Sequence, residues 1–159
     1  MSSTARDSPD EVTDALLNAS RLLVAISARS IARVDETITI PQIRTLVILQ
    51  ARGPIKLATL AGLLDVQPST TGRMVDRLVT SGLIDRRPNP ESRRELIVEL
   101  TPRGKDIVEA VTARRRTEIA RIVAKMPPRQ QQGLIRALNA FTEAGGEASL
   151  TGFADGYPP

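Results

Sequence analysis

Two short predicted helices, separated by a break of a few residues, constrain this chain more than any other feature of its sequence. The first helix carries apolar residues at three- and four-residue steps, at Leu57, Leu60, Ala61 and Leu64. Asp65 then interrupts the pattern, and aspartate tolerates the left-handed backbone of such a break better than most residues. Pro68 lies in the first turn of the second helix, where its missing N–H breaks no hydrogen bond. Gly82 ends that helix after Thr80, so the segment predicts a helix-turn-helix.

A β-hairpin is predicted directly after the second helix. Short strands are expected at residues 83–87 and 95–100, and the second strand places Leu96, Val98 and Leu100 on one face. Residues 88–92 between the strands are rich in turn-forming types. Arginine pairs flank this tip on both arms, at Arg86, Arg87, Arg93 and Arg94. The sequence therefore predicts a basic wing beside the helix-turn-helix.

Long amphipathic helices are predicted on both sides of this winged module. We expect a disordered N-terminus at residues 1–10 and an N-terminal dimerisation helix at residues 11–38. A winged helix-turn-helix domain follows at residues 39–100, then C-terminal dimerisation helices at residues 101–144 and a flexible tail at residues 145–159. The apolar stripes of the flanking helices exceed what one small core needs, so we expect residues of about 11–30 and 107–145 to form a homodimer interface. The predicted fold class is mainly α with a small β-hairpin wing.

The residue types that are absent narrow the possible chemistry. The chain contains no cysteine and no histidine, which removes disulfides, thiol redox switches, the usual zinc ligands and the most common general base. We therefore expect no enzyme activity, no metal and no cofactor. The polar N-terminus has no signal segment, and no uninterrupted apolar run approaches the ~18 residues of a membrane span, so a cytoplasmic protein without membrane contact is predicted.

The second helix of the predicted helix-turn-helix has two distinct faces. Helical spacing turns four residues toward the core, Thr71, Met74, Val75 and Leu78. Hydroxyl side chains and arginines lie on the opposite face, as in helices that enter the DNA major groove. Arginine suits contact with phosphates and guanine edges, and all but three of the 22 basic residues are arginine. The predicted DNA-binding residues are Gln67, Pro68, Ser69, Thr70, Gly72, Arg73, Arg77, Arg86, Arg87, Arg93 and Arg94.

Each of these features also has a simpler interpretation that the residues leave open. The charged face of the helix could be a solvated surface with weak ion pairs, and the wing arginines could protect the edge of a small sheet. Gly72 is explained equally by close approach to DNA and by sequence drift. The run Arg114-Arg115-Arg116 is typical of a solvated helix face.

From Ile40 to Gly104, the sequence resembles the MarR family of bacterial regulators. The segment 64–78 resembles the recognition-helix pattern of that family, segments 81–88 and 89–94 resemble its wing, and segment 98–104 resembles the start of its next helix. One position departs from the pattern, because the family wing usually carries Asp-Arg-Arg where this chain has Ser92-Arg93-Arg94. The missing carboxylate would help to orient the tip arginine, and the adjacent Glu91 is a partial substitute.

The resemblance implies an obligate homodimer that binds double-stranded DNA at a palindromic operator. It also implies repression of neighbouring genes and release from DNA by a small organic effector. The alternative function is a dimeric winged-helix interaction module that does not bind DNA sequence-specifically.

Overall fold

The computed structural model describes residues 8–146, which are mainly helical with one small sheet. The elements in chain order are α1 Pro9–Val34, α2 Ile40–Arg52, β1 Ile55–Lys56, α3 Leu57–Leu64, α4 Pro68–Thr80, β2 Ile84–Asn89, β3 Ser92–Leu100, α5 Pro102–Val123 and α6 Pro128–Ala144. The predicted fold class is confirmed. The predicted tail beyond Gly146, including Phe153 and Tyr157, and the predicted disorder of residues 1–7 lie outside the described residues.

The first helix begins earlier than the sequence prediction placed it. Ser8 accepts a hydrogen bond from the Glu11 backbone N–H, and the Glu11 carboxylate accepts one from the Ser8 N–H at 2.7 Å. This reciprocal capping box starts α1 at Pro9. The predicted disorder of residues 1–10 is therefore wrong for residues 8–10.

The same helix ends earlier than predicted, at Val34 rather than near residue 38. Asp35 has an extended backbone, and its carboxylate accepts hydrogen bonds from the N–H and the hydroxyl of Thr37. These bonds lower the pKa of Asp35. They also fix a short turn, after which Thr39 caps α2 in a second capping box with Gln42.

The three strands form one antiparallel sheet in the order β1-β3-β2. β1 is short and pairs Ile55 with Val98 and Lys56 with Ile97. The β2–β3 hairpin is longer than predicted and reverses at Pro90-Glu91. The central strand thus connects the wing to the helix-turn-helix.

One apolar core joins the winged module to the start of α5. Its fully buried side chains come from α2, α3, α4, the turn after α4 and the sheet, and include Leu46, Leu49, Leu60, Val75, Leu78, Leu83, Ile84 and Val98. Val108 and Val111 of α5 and Ile31 of α1 complete it. α4 is therefore packed against the same core as the helices that leave the module.

The outer helices expose apolar side chains. No residue of α6 is buried, and Leu134, Ile135, Leu138 and Phe141 lie exposed on it. α1 buries only Ile26, Ser30 and Ile31. α1 is also long and apolar enough to cross a membrane by length and composition, alone among the helices of residues 8–146. Its charged residues, such as Asp14 and Arg21, interrupt the apolar run, so a search for uninterrupted runs did not find it.

Candidate nucleic-acid interface

The turn between α3 and α4 has the backbone that the sequence predicts. Asp65 adopts the left-handed conformation, with φ 53° and ψ 45°. Its N–H bonds to the carbonyl of Gly62 at 3.2 Å, and the N–H of Val66 bonds to the carbonyl of Ala61 at 3.2 Å. These bonds close the end of α3 and set the start of α4.

The two faces of α4 are divided as predicted. Thr71, Val75 and Leu78 are buried, and Met74 packs against the core as a partly buried residue. Gln67, Pro68, Ser69, Thr70, Arg73 and Arg77 are exposed on the other side. A Cβ added to Gly72 would meet no atom within 4 Å. No contact within residues 8–146 therefore requires glycine at this position.

The N-terminus of α4 carries no side-chain cap. Gln67 occupies the capping position, and its side chain makes no capping hydrogen bond. Free N–H groups at a helix N-terminus attract anions, because the helix dipole adds a partial positive charge there. Ser69 and Thr70 are exposed in the same first turn. This end of the helix is suited to hold a phosphate.

The arginines of the predicted interface fall into two groups. Arg86 of β2 pairs with Asp76 of α4, and Arg87 pairs with Glu99 of β3. No ion pair or side-chain hydrogen bond within residues 8–146 engages the other four, the exposed Arg73, Arg77, Arg93 and Arg94. These four side chains have no bond to break within the described residues before they contact another molecule, whereas Arg86 and Arg87 share their charge with a carboxylate.

The wing tip contains an irregularity that the sequence did not reveal. Asn89 pairs with Ser92, and the preceding Pro88 pairs with Leu96. Pro88 and Asn89 are adjacent on β2, but residues 93–95 separate their partners on β3. These three residues therefore have no pairing partner on β2 and form a bulge. Pro88 has no N–H to give to the sheet, which explains why regular pairing stops there. Bulges change the direction in which side chains point, and this one carries Arg93 and Arg94.

A polar network that the sequence analysis also missed holds the tip. The amide of Asn89, only 7% exposed, donates to Glu95 at 2.9 Å, and its carbonyl accepts the Glu91 N–H at 3.1 Å. Lys56 of β1 approaches the same Glu95 oxygen at 3.1 Å. These bonds from Lys56 and Asn89 lower the pKa of Glu95. An asparagine between two prolines was the available signal, but it indicated only a turn.

The turn after α4 is held by the first residues of α5. The Thr101 hydroxyl donates to the carbonyl of Gly82 at 2.7 Å, and the Thr101 N–H donates to that of Leu83 at 3.2 Å. Arg103 donates to the carbonyl of Ser81 at 3.3 Å. The start of α5 thus binds the carbonyls of three consecutive residues after α4. We call this contact the α4–α5 joint.

Comparison with family models places the winged module in a known group. A model described as the MarR family matches residues 38–96. The chain is 26% identical over 106 residues to the uncharacterized HTH-type transcriptional regulator YfiV of Bacillus subtilis, covering 67% of this chain and 66% of that protein. It is 39% identical over 72 residues to the multiple antibiotic resistance protein MarR of Salmonella typhimurium, covering 45% and 50%. The aligned part thus spans about two thirds of the first relative and half of the second.

Solved structures are similar to this one over more of the chain. The crystal structure of RV1404 from Mycobacterium tuberculosis is 70% identical, has a TM-score of 0.83 and covers 92% of this chain and 100% of that one. A mutant of MarR from E. coli, complexed with operator DNA, has a TM-score of 0.66 at 22% identity, covering 82% and 92%. At that identity the second likeness concerns the fold alone.

Proposed function

Because the chain belongs to the MarR family of winged helix-turn-helix transcriptional regulators, we propose that it binds a palindromic operator as a homodimer. We further propose that it acts as a repressor in the cytoplasm and that a small organic effector releases it from DNA. The observation that carries the proposal is the outward face of α4, where exposed arginines that have no partner within residues 8–146 follow an uncapped helix N-terminus.

Each part of the interface has its own role in this proposal. α4 enters the major groove, where Arg73 and Arg77 meet base edges or phosphates. Its first turn holds a backbone phosphate through the N–H groups and hydroxyls of Ser69 and Thr70. Gly72 has no side chain, so the helix can approach the groove closely. The wing places Arg93 and Arg94 in the adjacent minor groove, whose negative potential attracts arginine.

The outer helices support the proposed homodimer. α6 has no buried residue, and its exposed apolar side chains have no cover within residues 8–146. Contiguous apolar surfaces of this kind mark interaction sites, and a two-fold axis is the most common arrangement of like subunits. Two copies of α4 would then engage half-sites about one helical turn, ~10 base pairs, apart.

The effector proposal rests on buried polar atoms. Ser30 Oγ, Gln50 Oε1 and Arg115 Nε are buried and have no hydrogen-bond partner in the described part of the chain. They lie on α1, α2 and α5, three helices that pack against one another. Buried polar groups are usually paired, so unpaired ones between the dimerisation helices and the winged module suit a small polar or anionic molecule.

The deciding experiment is selection of binding sites from random duplex DNA and genomic fragments by the purified protein. We expect a two-fold symmetric motif that Arg73→Ala loses. Arg52→Ala, which removes an exposed arginine from the end of α2, outside the proposed dimer interface, should keep it. A protein that enriches no motif at moderate salt would be the interaction module without sequence-specific binding.

A further inference from the structure

The wing tip combines a bulge, a buried amide and an ion pair. Residues 93–95 bulge out of β3 opposite Pro88 and Asn89. Asn89 is nearly buried although it lies next to the hairpin turn, where most residues are exposed. A buried amide of this kind needs partners for both of its polar atoms. It has them in Glu91 and Glu95.

Glu95 connects the two ends of this arrangement. It closes the bulge on the C-terminal side, and its carboxylate accepts from Asn89 across the hairpin. The same oxygen pairs with Lys56, which comes from β1 on the far edge of the sheet. The turn residues are thereby tied to a strand that belongs to the helix-turn-helix side of the module.

The arginines inside the bulge have no such ties. Arg93 and Arg94 are exposed, and no partner within residues 8–146 engages them. No aspartate precedes this pair to orient it, since residue 92 is serine. The direction of both side chains therefore depends on the backbone of the bulge, and that backbone is held by Asn89 and Glu95.

We propose that Lys56, Glu95 and Asn89 are positioning residues that set the wing tip before DNA binding, so that Arg93 and Arg94 are aimed at the minor groove. The proposal rests on the proposed DNA-binding function. A tip already ordered in the free protein loses less conformational entropy on binding. The three residues then determine how strongly the flanks of the operator are read, although none of them needs to touch DNA.

The direction in which one substitution changes DNA affinity distinguishes this positioning role from simple electrostatics. Glu95→Gln removes a negative charge close to the DNA-facing arginines, and charge alone would make binding tighter. If Glu95 positions the tip, the same substitution loosens the bulge and weakens binding to A·T-rich flanks. Glu91→Gln is the matched control, because it removes an equal charge from the tip. The Glu91 side chain makes no hydrogen bond or ion pair within residues 8–146, so the structure does not show the partial substitution for the missing aspartate that the sequence suggested.

The test has two measurements on the full-length protein. The first is amide hydrogen exchange of the free protein, which measures how well the Glu91 N–H is protected by its hydrogen bond to the Asn89 side chain. We expect at least tenfold faster exchange in Asn89→Ala, which removes the acceptor of this N–H, and no change at the core amides of β3. Glu95→Gln should give a smaller increase, because its amide oxygen can still accept from Asn89 but no longer pairs with the charge of Lys56. Lys56→Met should give a similar increase, and Lys56→Arg should keep the protection of the unmodified protein.

The second measurement is binding to selected operators with A·T-rich or G·C-rich flanks, together with hydroxyl-radical footprints. Glu95→Gln should lose about tenfold of the flank preference and the flank footprint while keeping the half-site motif read by α4. Glu91→Gln should keep both. Unchanged exchange in Glu95→Gln would overturn the proposal whatever the DNA data show. Loosened exchange with an unchanged flank footprint would also overturn it. Absence of a flank footprint in the unmodified protein would remove the proposed wing contact, and this proposal with it.

Discussion

At the scale of single residues, the arginines of the interface differ in what surrounds them. Arg73 lies on the outward face of α4, and Arg94 lies in the bulge of the wing. Side chains on a recognition helix read base edges, whereas contacts to phosphates carry no sequence information. Substitution of these two residues should therefore change different properties of DNA binding.

Arg73→Ala should lose about 1–3 kcal/mol of discrimination between the selected motif and a single-base mismatch. If Arg94 contacts phosphate, Arg94→Ala should instead weaken binding to all sequences. It should also reduce the slope of log K against log salt concentration by about one unit. If Arg94 enters a narrow minor groove, A·T-rich flanks should suffer most. Titrations at several salt concentrations measure both effects. Unchanged affinity of both variants would contradict the proposed DNA face.

Arg86 provides a second prediction at this scale. Its guanidinium pairs with Asp76 and is less exposed than that of Arg87. An arginine already bound to a carboxylate has less charge to offer a phosphate, so Arg86→Ala should weaken DNA binding less than Arg94→Ala does. Fluorescence anisotropy with one operator compares the two variants directly. A larger loss for Arg86→Ala would mean that the pair opens when DNA binds.

At the scale of the elements, the α4–α5 joint depends on one glycine. A Cβ on Gly104 would lie 2.2 Å from the carbonyl oxygen of Leu83 and 3.0 Å from the Leu100 side chain. A backbone oxygen cannot move aside without disturbing the turn after α4. The joint therefore tolerates no larger residue at this position.

Gly104→Ala should lower the free energy of unfolding by about 1–3 kcal/mol, as overpacked positions do. Gly62 of α3 is the matched control, because a Cβ there meets nothing within 4 Å. Gly62→Ala should raise the free energy of unfolding by about 1 kcal/mol, since alanine is the better helix former. Urea denaturation measures both. Equal effects of the two substitutions would contradict the described packing.

The elements also show which features the sequence can predict. The two faces of α4 and the left-handed Asp65 follow from a short-range period and from local backbone preferences, and both predictions are confirmed. The start of α1 was missed although Ser8 and Glu11 carry the spacing of a capping box. The bulge of the wing could not be predicted, because it depends on strand register and on Lys56, which lies far away in the sequence.

At the scale of the whole molecule, α6 provides a test of the dimer. Because none of its residues is buried within one subunit, Ile135→Arg should leave each subunit folded. The unmodified protein should sediment as a dimer at low micromolar concentration, and Ile135→Arg should sediment as a monomer. Ala140→Arg places the same charge at an exposed position beside Arg136 and Glu143, on the polar side of α6, and should remain dimeric. A stable monomer of the unmodified protein would contradict the proposed assembly.

Regulation is the second property of the whole molecule. Since the chain has no cysteine and no histidine, physiological peroxide and zinc should leave DNA binding unchanged in a gel-shift experiment. The only aromatic residues are Phe141, Phe153 and Tyr157, so the proposed effector cleft has few rings on which a phenol could stack. Salicylate should bind with a Kd of about 1 mM or weaker, equivalent to about −4 kcal/mol. A micromolar Kd for salicylate in calorimetry would contradict the description of the effector cleft as poor in aromatic rings.

The α4–α5 joint has a mechanical consequence. α5 runs unbroken for 22 residues from the joint to Val123, which is ~33 Å at the usual rise of a helix. A lever of that length, tilted by ~6° about its far end, moves the joint by ~3.4 Å, which is the rise of one base pair. The turn that ends α4 is bound to this lever through three carbonyls. In the proposed dimer, a side-chain-sized displacement at the far end of α5 is thus enough to shift one α4 by a base-pair step relative to the α4 of the partner subunit.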